Sequence, residues 1–140
     1  MTPPRNIAIG LGCERKADEA EIWALVEAAL AEAKVVPEAV ACIASIASKS
    51  EEPALHAIAR RLGASLRFFE AARLEQETPR LQNPSELVFR ETGCHGVAEG
   101  AALAAVGADG DLILPKRRSA HATCALARVR AAHPAEAKRA

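Results

Sequence analysis

One uninterrupted apolar run constrains the fold of this chain more than any other feature. Val40–Ala47 reads VACIASIA and is bounded by polar residues. A run of this length without polar alternation is typical of a strand that is buried on both faces, as in a parallel sheet. Such a strand needs helices on both sides, so the run predicts an α/β protein.

Shorter apolar segments alternate with helix-forming segments along the rest of the chain. Further strands are predicted over Asn6–Gly12, Leu66–Phe69, Asp111–Leu114 and Ala122–Val129. Helices are predicted after Asp18, after Ser50, over Ala71–Glu77, after Asn83 and over Val97–Val106. This alternation predicts a mainly parallel sheet with helices on both faces. The length is that of one domain, which we place at 1–130, and we expect the small, charged segment 131–140 to be a disordered tail.

Capping residues and prolines indicate where several elements begin or end. Asp18 is predicted to cap the first helix, with Glu21 as its capping-box partner. Ser50 and Asn83 are predicted to cap two later helices, because proline follows each of them closely. The strand that begins at Asp111 is expected to stop at Pro115.

Charge and cysteine content exclude several classes of function. The formal net charge is zero, which argues against nucleic-acid binding by bulk charge. Cys13, Cys42, Cys94 and Cys124 form no CxxC pair, so we expect no disulfide, no structural zinc and no metal site. No apolar segment is long enough to cross a membrane, and we expect a soluble, cytoplasmic protein with reduced thiols.

The segments that follow the predicted strands carry the candidate site. In α/β sheets, ligands bind beyond the carboxyl ends of the strands. Lys49, Lys116 and Arg117 follow two of these strands, and we expect them to converge on one cleft with the Gly10–Cys13 turn. Such a cleft suits an anion with several carboxylates or phosphates. The alternative is that these are scattered, solvated charges. A dinucleotide site is less favoured because the third glycine of its fingerprint is missing.

Other reactive side chains have both a functional and a packing interpretation. Cys94-His95 could form a thiolate–imidazole pair, but no third group that would orient them is identifiable from the sequence. Cys13 could be reactive on its turn or could simply pack. Glu99 is either a buried acid that faces the site or a surface residue. Thr123 is interpreted as a strand residue rather than a nucleophile.

Five blocks of this sequence, in the same order, resemble a known family. From about Asn6 to Val129 the chain is similar to the CobE/CbiG C-terminal family of cobalamin biosynthesis. The blocks are Gly10-Leu11-Gly12-Cys13, Lys49 followed by Glu52-Pro53, Asn83-Pro84-Ser85-Glu86, Val97-Ala98-Glu99-Gly100-Ala101-Ala102, and Pro115-Lys116-Arg117-Arg118 followed by Thr123-Cys124-Ala125-Leu126-Ala127-Arg128.

The resemblance implies a function in the handling of precorrins. CbiG proteins are larger and are linked to the opening of a lactone ring of a cobalt-precorrin with release of acetaldehyde, whereas stand-alone chains resemble CobE of the aerobic pathway. Together, the strand ends and the family blocks suggest a set of ligand-binding residues. They are Gly10, Gly12, Cys13, Arg15, Lys49, Glu52, Glu99, Lys116, Arg117 and Thr123.

Three hypotheses of function follow from these features. The favoured one is a module that binds or hands on a precorrin, a tetrapyrrole fringed with carboxylates. The alternative is a hydrolase that acts on a precorrin or cobalt-precorrin, although no catalytic residue can be assigned. The third is a subunit that supports other enzymes of the cobalamin pathway. We expect no cofactor, no nucleic-acid partner and no membrane partner, and assembly into a homo-oligomer is left open.

Overall fold

A five-stranded mixed sheet forms the centre of the computed structural model, which describes residues 3–130. Its strands are β1 (Ile7–Cys13), β2 (Val40–Ile46), β3 (Ser65–Phe69), β4 (Asp111–Arg118) and β5 (Ala122–Arg128), in the order β3-β2-β1-β5-β4. The pairs β1–β2 and β2–β3 are parallel, whereas β5 runs antiparallel to both β1 and β4. The carboxyl ends of β1, β2, β3 and β4 therefore lie at one edge of the sheet, where β5 begins.

Helices cover both faces of the sheet. They are α1 (Glu19–Ala33), α2 (Pro53–Leu62), α3 (Ala71–Glu75), α4 (Glu86–Thr92) and α5 (Val97–Val106). One face is covered by α1 and α2, while α5 lies across all five strands on the other, with α3 packed against it. The predicted α/β fold with helices on both faces is confirmed. The antiparallel β5, which lies between β1 and β4, makes the sheet mixed.

The two faces of the sheet are packed with side chains of different size. Large aliphatic residues such as Ile9, Leu11 and Ile43 fill the face beneath α1 and α2. The opposite face is built from small residues, and α5 lies almost directly on the backbone of β1. A Cβ added to Gly10 would lie 1.9 Å from the carbonyl oxygen of Ala98. Gly10 is therefore required for the close approach of α5 to the sheet.

Several predicted helix caps are placed differently in the structure. Asp18 caps α1 as predicted and accepts from the Ala20 amide at 3.3 Å, but the capping-box role of Glu21 is wrong because its carboxylate binds elsewhere. Glu52, not Ser50, is the N-cap of α2. The cap of α4 is also two residues later than predicted.

Asn83 and Pro115 show how tertiary contacts override local sequence signals. The N-cap of α4 is Ser85, whose Oγ accepts from the Val88 amide, because the Asn83 side chain donates to Glu99 instead. The strand predicted to stop at Pro115 continues to Arg118. Proline is tolerated there because β4 is an edge strand and its pairing with β5 is irregular at this point.

The sequence also led us to expect no membrane-spanning segment and a disordered tail. Between residues 3 and 130, no helix is long and apolar enough to cross a bilayer. The tail predicted over 131–140 lies outside the described residues.

Candidate functional site

The direction in which the chain progresses across the sheet changes at the carboxyl end of β1. From β1 the chain passes over one face through α1 to β2, and from β3 it passes over the other face to β4. Ligands of α/β proteins bind in the crevice at such a topological switch point. Here the corresponding position is the carboxyl end of β1 beside the start of β5, where the two strands remain paired as far as Cys13 and Ala122. We call it the switch-point cleft and define it by Gly12, Cys13, Gly96, Val97 and Thr123.

Gly12 and Thr123 face each other across the β1–β5 pair. A Cβ on Gly12 would lie 2.6 Å from Thr123 Oγ1 and 3.5 Å from the Val97 side chain. Thr123 is half-buried, and its hydroxyl has no hydrogen-bond partner among residues 3–130. The missing side chain at Gly12 thus leaves room for a hydroxyl that is free to donate to a ligand.

The N-terminus of α5 borders the same cleft. Its N-cap is Gly96, which supplies no side chain to cap the first amides of the helix. The first N–H groups of a helix point outward and carry partial positive charge, so they favour an anion. Val97, the first residue of α5, is the one that contacts the Gly12 position. Backbone donors and the Thr123 hydroxyl therefore lie at one end of the sheet.

Lys49 and Glu52 flank the cleft on the β2 side. Both follow β2, and both act on the Cys13 thiol. Burial raises the pKa of Cys13, the positive charge of Lys49 opposes this rise, and the negative charge of Glu52 adds to it. Glu52 also accepts from the Lys16 amide at 3.0 Å, which fixes the turn after β1. Lys49 and Glu52 thus both act on Cys13, although the sequence led us to expect this only of Lys49, and their binding of a ligand stays a prediction.

Arg117 does not join this group in the way the sequence suggested, whereas the position of the Lys116 ammonium group stays a prediction. The Arg117 guanidinium pairs with Glu32, in the last turn of α1, with Nε 3.0 Å from Oε1. That contact draws Arg117 towards the far end of α1, away from the Gly10–Cys13 turn, so the expected convergence is wrong for this residue. Lys116 uses its backbone amide to donate to Glu99 at 2.8 Å. Arg15 is exposed on the turn that follows β1.

Glu99 is buried and fully engaged by protein donors. Its carboxylate accepts from the amides of Gln82 (2.9 Å), Asn83 (2.9 Å) and Lys116 (2.8 Å), and from the Asn83 side chain (2.8 Å). Burial alone would raise the pKa of Glu99, but these hydrogen bonds outweigh it and the pKa is lowered. Of the two sequence interpretations the buried one is correct. The carboxylate ties α5 to β4 and to the loop before α4, and little of its acceptor capacity remains for a ligand.

A cluster around Glu21 positions the start of β5 and was missed from the sequence. The Glu21 carboxylate accepts from the Ser119 hydroxyl, from the His121 amide at 2.7 Å and from His121 Nδ1 at 2.9 Å. These hydrogen bonds, that of Ser119 foremost, lower the pKa of Glu21 to about 2. The cluster holds the β4–β5 connection against the first turn of α1, and Thr123 lies two residues after His121. No local signal links residues that lie about 100 positions apart in the chain.

His95 is oriented by a carboxylate rather than paired with its neighbouring thiol. Glu75 accepts from its ring, with Nδ1 2.8 Å from Oε2, and from its backbone amide at 2.9 Å. The Phe89 ring stacks on the imidazole with centroids 4.4 Å apart. Cys94 is fully buried, and its Sγ lies 3.4 Å from Thr92 Oγ1. The sequence drew attention to His95, but the orienting group stands 20 positions earlier and could not be recognised.

The cysteines offer no activated nucleophile. All four thiols are free. Burial raises the pKa of Cys124 to about 12 and also raises that of Cys42. Within residues 3–130, no group of three His, Cys, Asp or Glu side chains could hold a metal ion. The chemistry that the cleft offers is hydrogen bonding and positive charge.

Comparison with known proteins identifies the family of this chain. The family model described as "Cobalamin synthesis G C-terminus" matches residues 7–127. The chain belongs to this family. A curated member, Protein CobE from Sinorhizobium sp., is 51% identical over 122 residues, which cover 87% of this chain and 79% of the relative. The cobalt-precorrin-5A hydrolase of Priestia megaterium is 35% identical over 124 residues, which cover 89% of this chain but only 32% of that enzyme.

Solved structures of family members share this fold. A crystal structure of CobE, a protein from the cobalamin (vitamin B12) biosynthetic pathway, is similar with a TM-score of 0.85 and 36% identity, covering 95% of this chain and 96% of that one. The cobalamin biosynthesis protein chiG of Agrobacterium tumefaciens is similar with a TM-score of 0.68 and 30% identity over 89% of this chain and 99% of that one. The resemblance to the CobE/CbiG C-terminal family is therefore confirmed, and this CobE-like chain is a cobalamin biosynthesis protein.

Proposed function

We propose that this CobE-like protein binds a precorrin by its peripheral carboxylates in the switch-point cleft and hands it on unchanged. The observation that carries the proposal is the convergence of the free Thr123 hydroxyl and the uncapped N-terminus of α5 at one end of the sheet. Lys49, which follows β2, acts on Cys13 at the same end. The hydroxyl and the helix amides are hydrogen-bond donors, and Lys49 is a positive charge. Within residues 3–130, no side chain caps the helix, and neither the hydroxyl nor the ammonium group has a hydrogen-bond or ion-pair partner.

The chemistry of the cleft matches the chemistry of a precorrin. Precorrins are macrocycles whose edge bears acetate and propionate carboxylates, so a binding site needs several donors spread along a rim rather than one deep pocket. A charged hydrogen bond contributes about 1.5–3 kcal/mol, and less where solvent screens it. Two or three such contacts, made by Thr123, Lys49 and the α5 amides, contribute about 3–9 kcal/mol before the cost of association is subtracted. Burial of the macrocycle must therefore supply part of the affinity.

Binding is favoured over catalysis by the state of the reactive groups. The raised pKa of Cys13 keeps its thiol neutral near pH 7, and the other three cysteines are buried. The Glu99 carboxylate is occupied by four donors and cannot serve as a general base. The cleft therefore holds groups that retain a ligand but no activated nucleophile.

Hydrolysis of a precorrin is the second candidate, and two observations favour it. The chain is similar to a part of a cobalt-precorrin-5A hydrolase, and it also holds an imidazole, His95, that Glu75 orients as in general-base sites. The chain spans about a third of that enzyme, so an active site there could include residues from outside the similar part.

The deciding experiment is incubation of the protein with the pathway's tetrapyrroles, followed by visible absorption and mass spectrometry. The proposal predicts a spectral shift that saturates at one ligand per chain while the ligand mass stays unchanged. A new mass that accumulates catalytically would support the hydrolase. The absence of any shift with every tetrapyrrole offered would reject both and favour a subunit that supports other pathway enzymes.

A further inference from the structure

His95 forms, with Glu75, Glu86 and Phe89, a cluster of side chains that the cleft as described does not use. We propose that His95 Nε2 is a second carboxylate-binding position for the same ligand, and that Glu86 occupies this position while the ligand is absent. This inference rests on the proposed binding of a polycarboxylate. It adds a second positive group, on the α4 side of the cleft, with the same kind of role as Lys49. This group does not depend on Thr123.

The imidazole of His95 is held in one orientation by its surroundings. Glu75 accepts from Nδ1, with Oε2 at 2.8 Å and Oε1 at 3.0 Å, and from the backbone amide of the same residue at 2.9 Å. Phe89 stacks on the ring nearly in parallel, at an interplanar angle of 17°. Because Nδ1 is committed to Glu75, Nε2 is the nitrogen that remains for another partner.

The partner that Nε2 has in this structure is held only loosely. Glu86 Oε1 lies 3.3 Å from Nε2, farther than the 2.8 Å contact with Glu75, and the Glu86 side chain is 81% exposed. An ion pair with so exposed a member contributes little, because water competes for the carboxylate. A ligand carboxylate that is already fixed by other contacts can therefore replace Glu86 at small cost.

The charge on His95 suits this exchange. The charged groups that face it are Glu75 from α3 and Glu86 from α4, and both are acidic. The hydrogen bond to Glu75 raises the pKa of His95, and Glu86 adds to the rise in spite of the opposing effect of burial. A raised pKa favours the imidazolium form, in which Nε2 donates to a carboxylate.

The position of His95 connects it to the switch-point cleft. It directly precedes Gly96, the N-cap of α5, whose first residue, Val97, contacts the Gly12 position. The imidazolium thus adds a full positive charge beside the partial charge of the α5 N-terminus. A macrocycle with carboxylates around its edge can present one carboxylate to the imidazole and another to the α5 N-terminus.

The test is a calorimetric titration with a stable polycarboxylate porphyrin at pH 7. We expect Glu86→Gln to bind about 2–5-fold more tightly than the parent, because the competing carboxylate is gone. His95→Gln should bind about 5–30-fold more weakly. Glu91→Gln is the matched control, since it removes the same charge from an exposed position of the same helix, and it should match the parent.

The pH dependence supplies a readout that a merely structural role would not change. Parent affinity should fall as the pH rises through the raised pKa of His95, and His95→Gln should lack this fall. Circular dichroism establishes that each variant is folded, and Glu86→Gln alters only an exposed side chain, so it remains informative if His95→Gln does not fold.

Three outcomes separate this inference from the proposed function. If the parent binds but neither His95→Gln nor Glu86→Gln changes the affinity, the second position is rejected and the proposed function stands. If Glu91→Gln tightens binding as much as Glu86→Gln, the effect is one of general charge and the exchange is rejected. If the parent binds no tetrapyrrole, the proposed function fails and this inference fails with it.

Discussion

The hydroxyl oxygen of Thr123 lies directly beside the empty side-chain position of Gly12, 2.6 Å from where a Cβ would stand. The two residues are register partners on β1 and β5, so the space that Gly12 leaves is the space beside the Thr123 hydroxyl. The other contacts of that Cβ position, to Val97 at 3.5 Å, are of ordinary van der Waals length. The absence of a side chain at residue 12 and the position of the Thr123 hydroxyl therefore depend on each other.

Replacing Gly12 tests this coupling. Gly12→Ala should destabilise the protein by about 1–2 kcal/mol, because the new methyl group clashes with Thr123 Oγ1. Adding Thr123→Ala removes the clash and should restore most of the lost stability, since little else is tight around the methyl group. Urea denaturation followed by the fluorescence of the single tryptophan, Trp23, measures both variants. Equal stabilities of the single and double variants would contradict the coupling.

Gly10→Ala, unlike Gly12→Ala, should not be rescued by a second substitution, because the clash is with backbone atoms. The added Cβ would lie 1.9 Å from the Ala98 carbonyl oxygen and 2.8 Å from the Ala102 amide nitrogen, both backbone atoms of α5. Gly10→Ala should therefore cost at least about 3 kcal/mol or prevent folding. The same denaturation experiment checks this, with Gly12→Ala as the milder comparison. A loss below about 1 kcal/mol would mean that α5 packs less closely on β1 than described.

Glu99 should stabilise the fold in a pH-dependent way. Glu99→Gln leaves buried amides without a charged acceptor and should cost on the order of 2–3 kcal/mol at pH 7. Because the folded-state pKa of Glu99 is lowered from its ordinary 4.5, its contribution is present above pH 4.5 and is lost as the pH falls below that value. Unfolding free energies measured from pH 7 to pH 3 should therefore converge for the parent and Glu99→Gln. Curves that stay parallel would contradict this role.

The sequence predicted the elements of the fold better than their arrangement. The apolar run of β2 and the glycine-rich end of β1 were recognised because burial and backbone geometry act locally. The antiparallel insertion of β5 between β1 and β4 was not, because the choice of strand partner depends on contacts across the whole chain. Pro115 was misread as a strand end since its tolerance depends on the edge position of β4.

The candidate site was predicted only in part, because some of its contacts join residues that are far apart in the chain. Cys13 ends β1 and Lys49 follows β2, and the two lie at one edge of the sheet because the carboxyl ends of parallel strands share it. Their binding of a ligand stays a prediction. Arg117 was misplaced because its partner, Glu32, lies 85 positions away. The helix that carries Glu75 was predicted, but its contact with His95 was not, because the two residues lie 20 positions apart in the chain.

The ion pair between Glu21 and His121 should be visible by NMR. The hydrogen bond to Glu21 raises the pKa of His121 above its ordinary 6.5, with Glu14 adding a smaller effect. The stabilisation from His121 is therefore complete below pH 6.5 and is lost as the pH rises through the folded-state pKa. Titration of the imidazole protons should show the raised value, and Glu21→Gln should return it towards 6.5. An unchanged pKa in Glu21→Gln would exclude this pairing in solution.

Titration of a stable polycarboxylate porphyrin into the parent, Thr123→Ala, Lys49→Ala and Arg60→Ala tests the central claim most directly. Arg60 is exposed in the last turn of α2, away from the cleft, so it controls for net charge. The account predicts saturable binding to the parent that weakens as salt rises, a loss of about 5–30-fold in Thr123→Ala and Lys49→Ala, and no loss in Arg60→Ala. Equal affinity of all four folded proteins, or equal losses in all three variants, would contradict it.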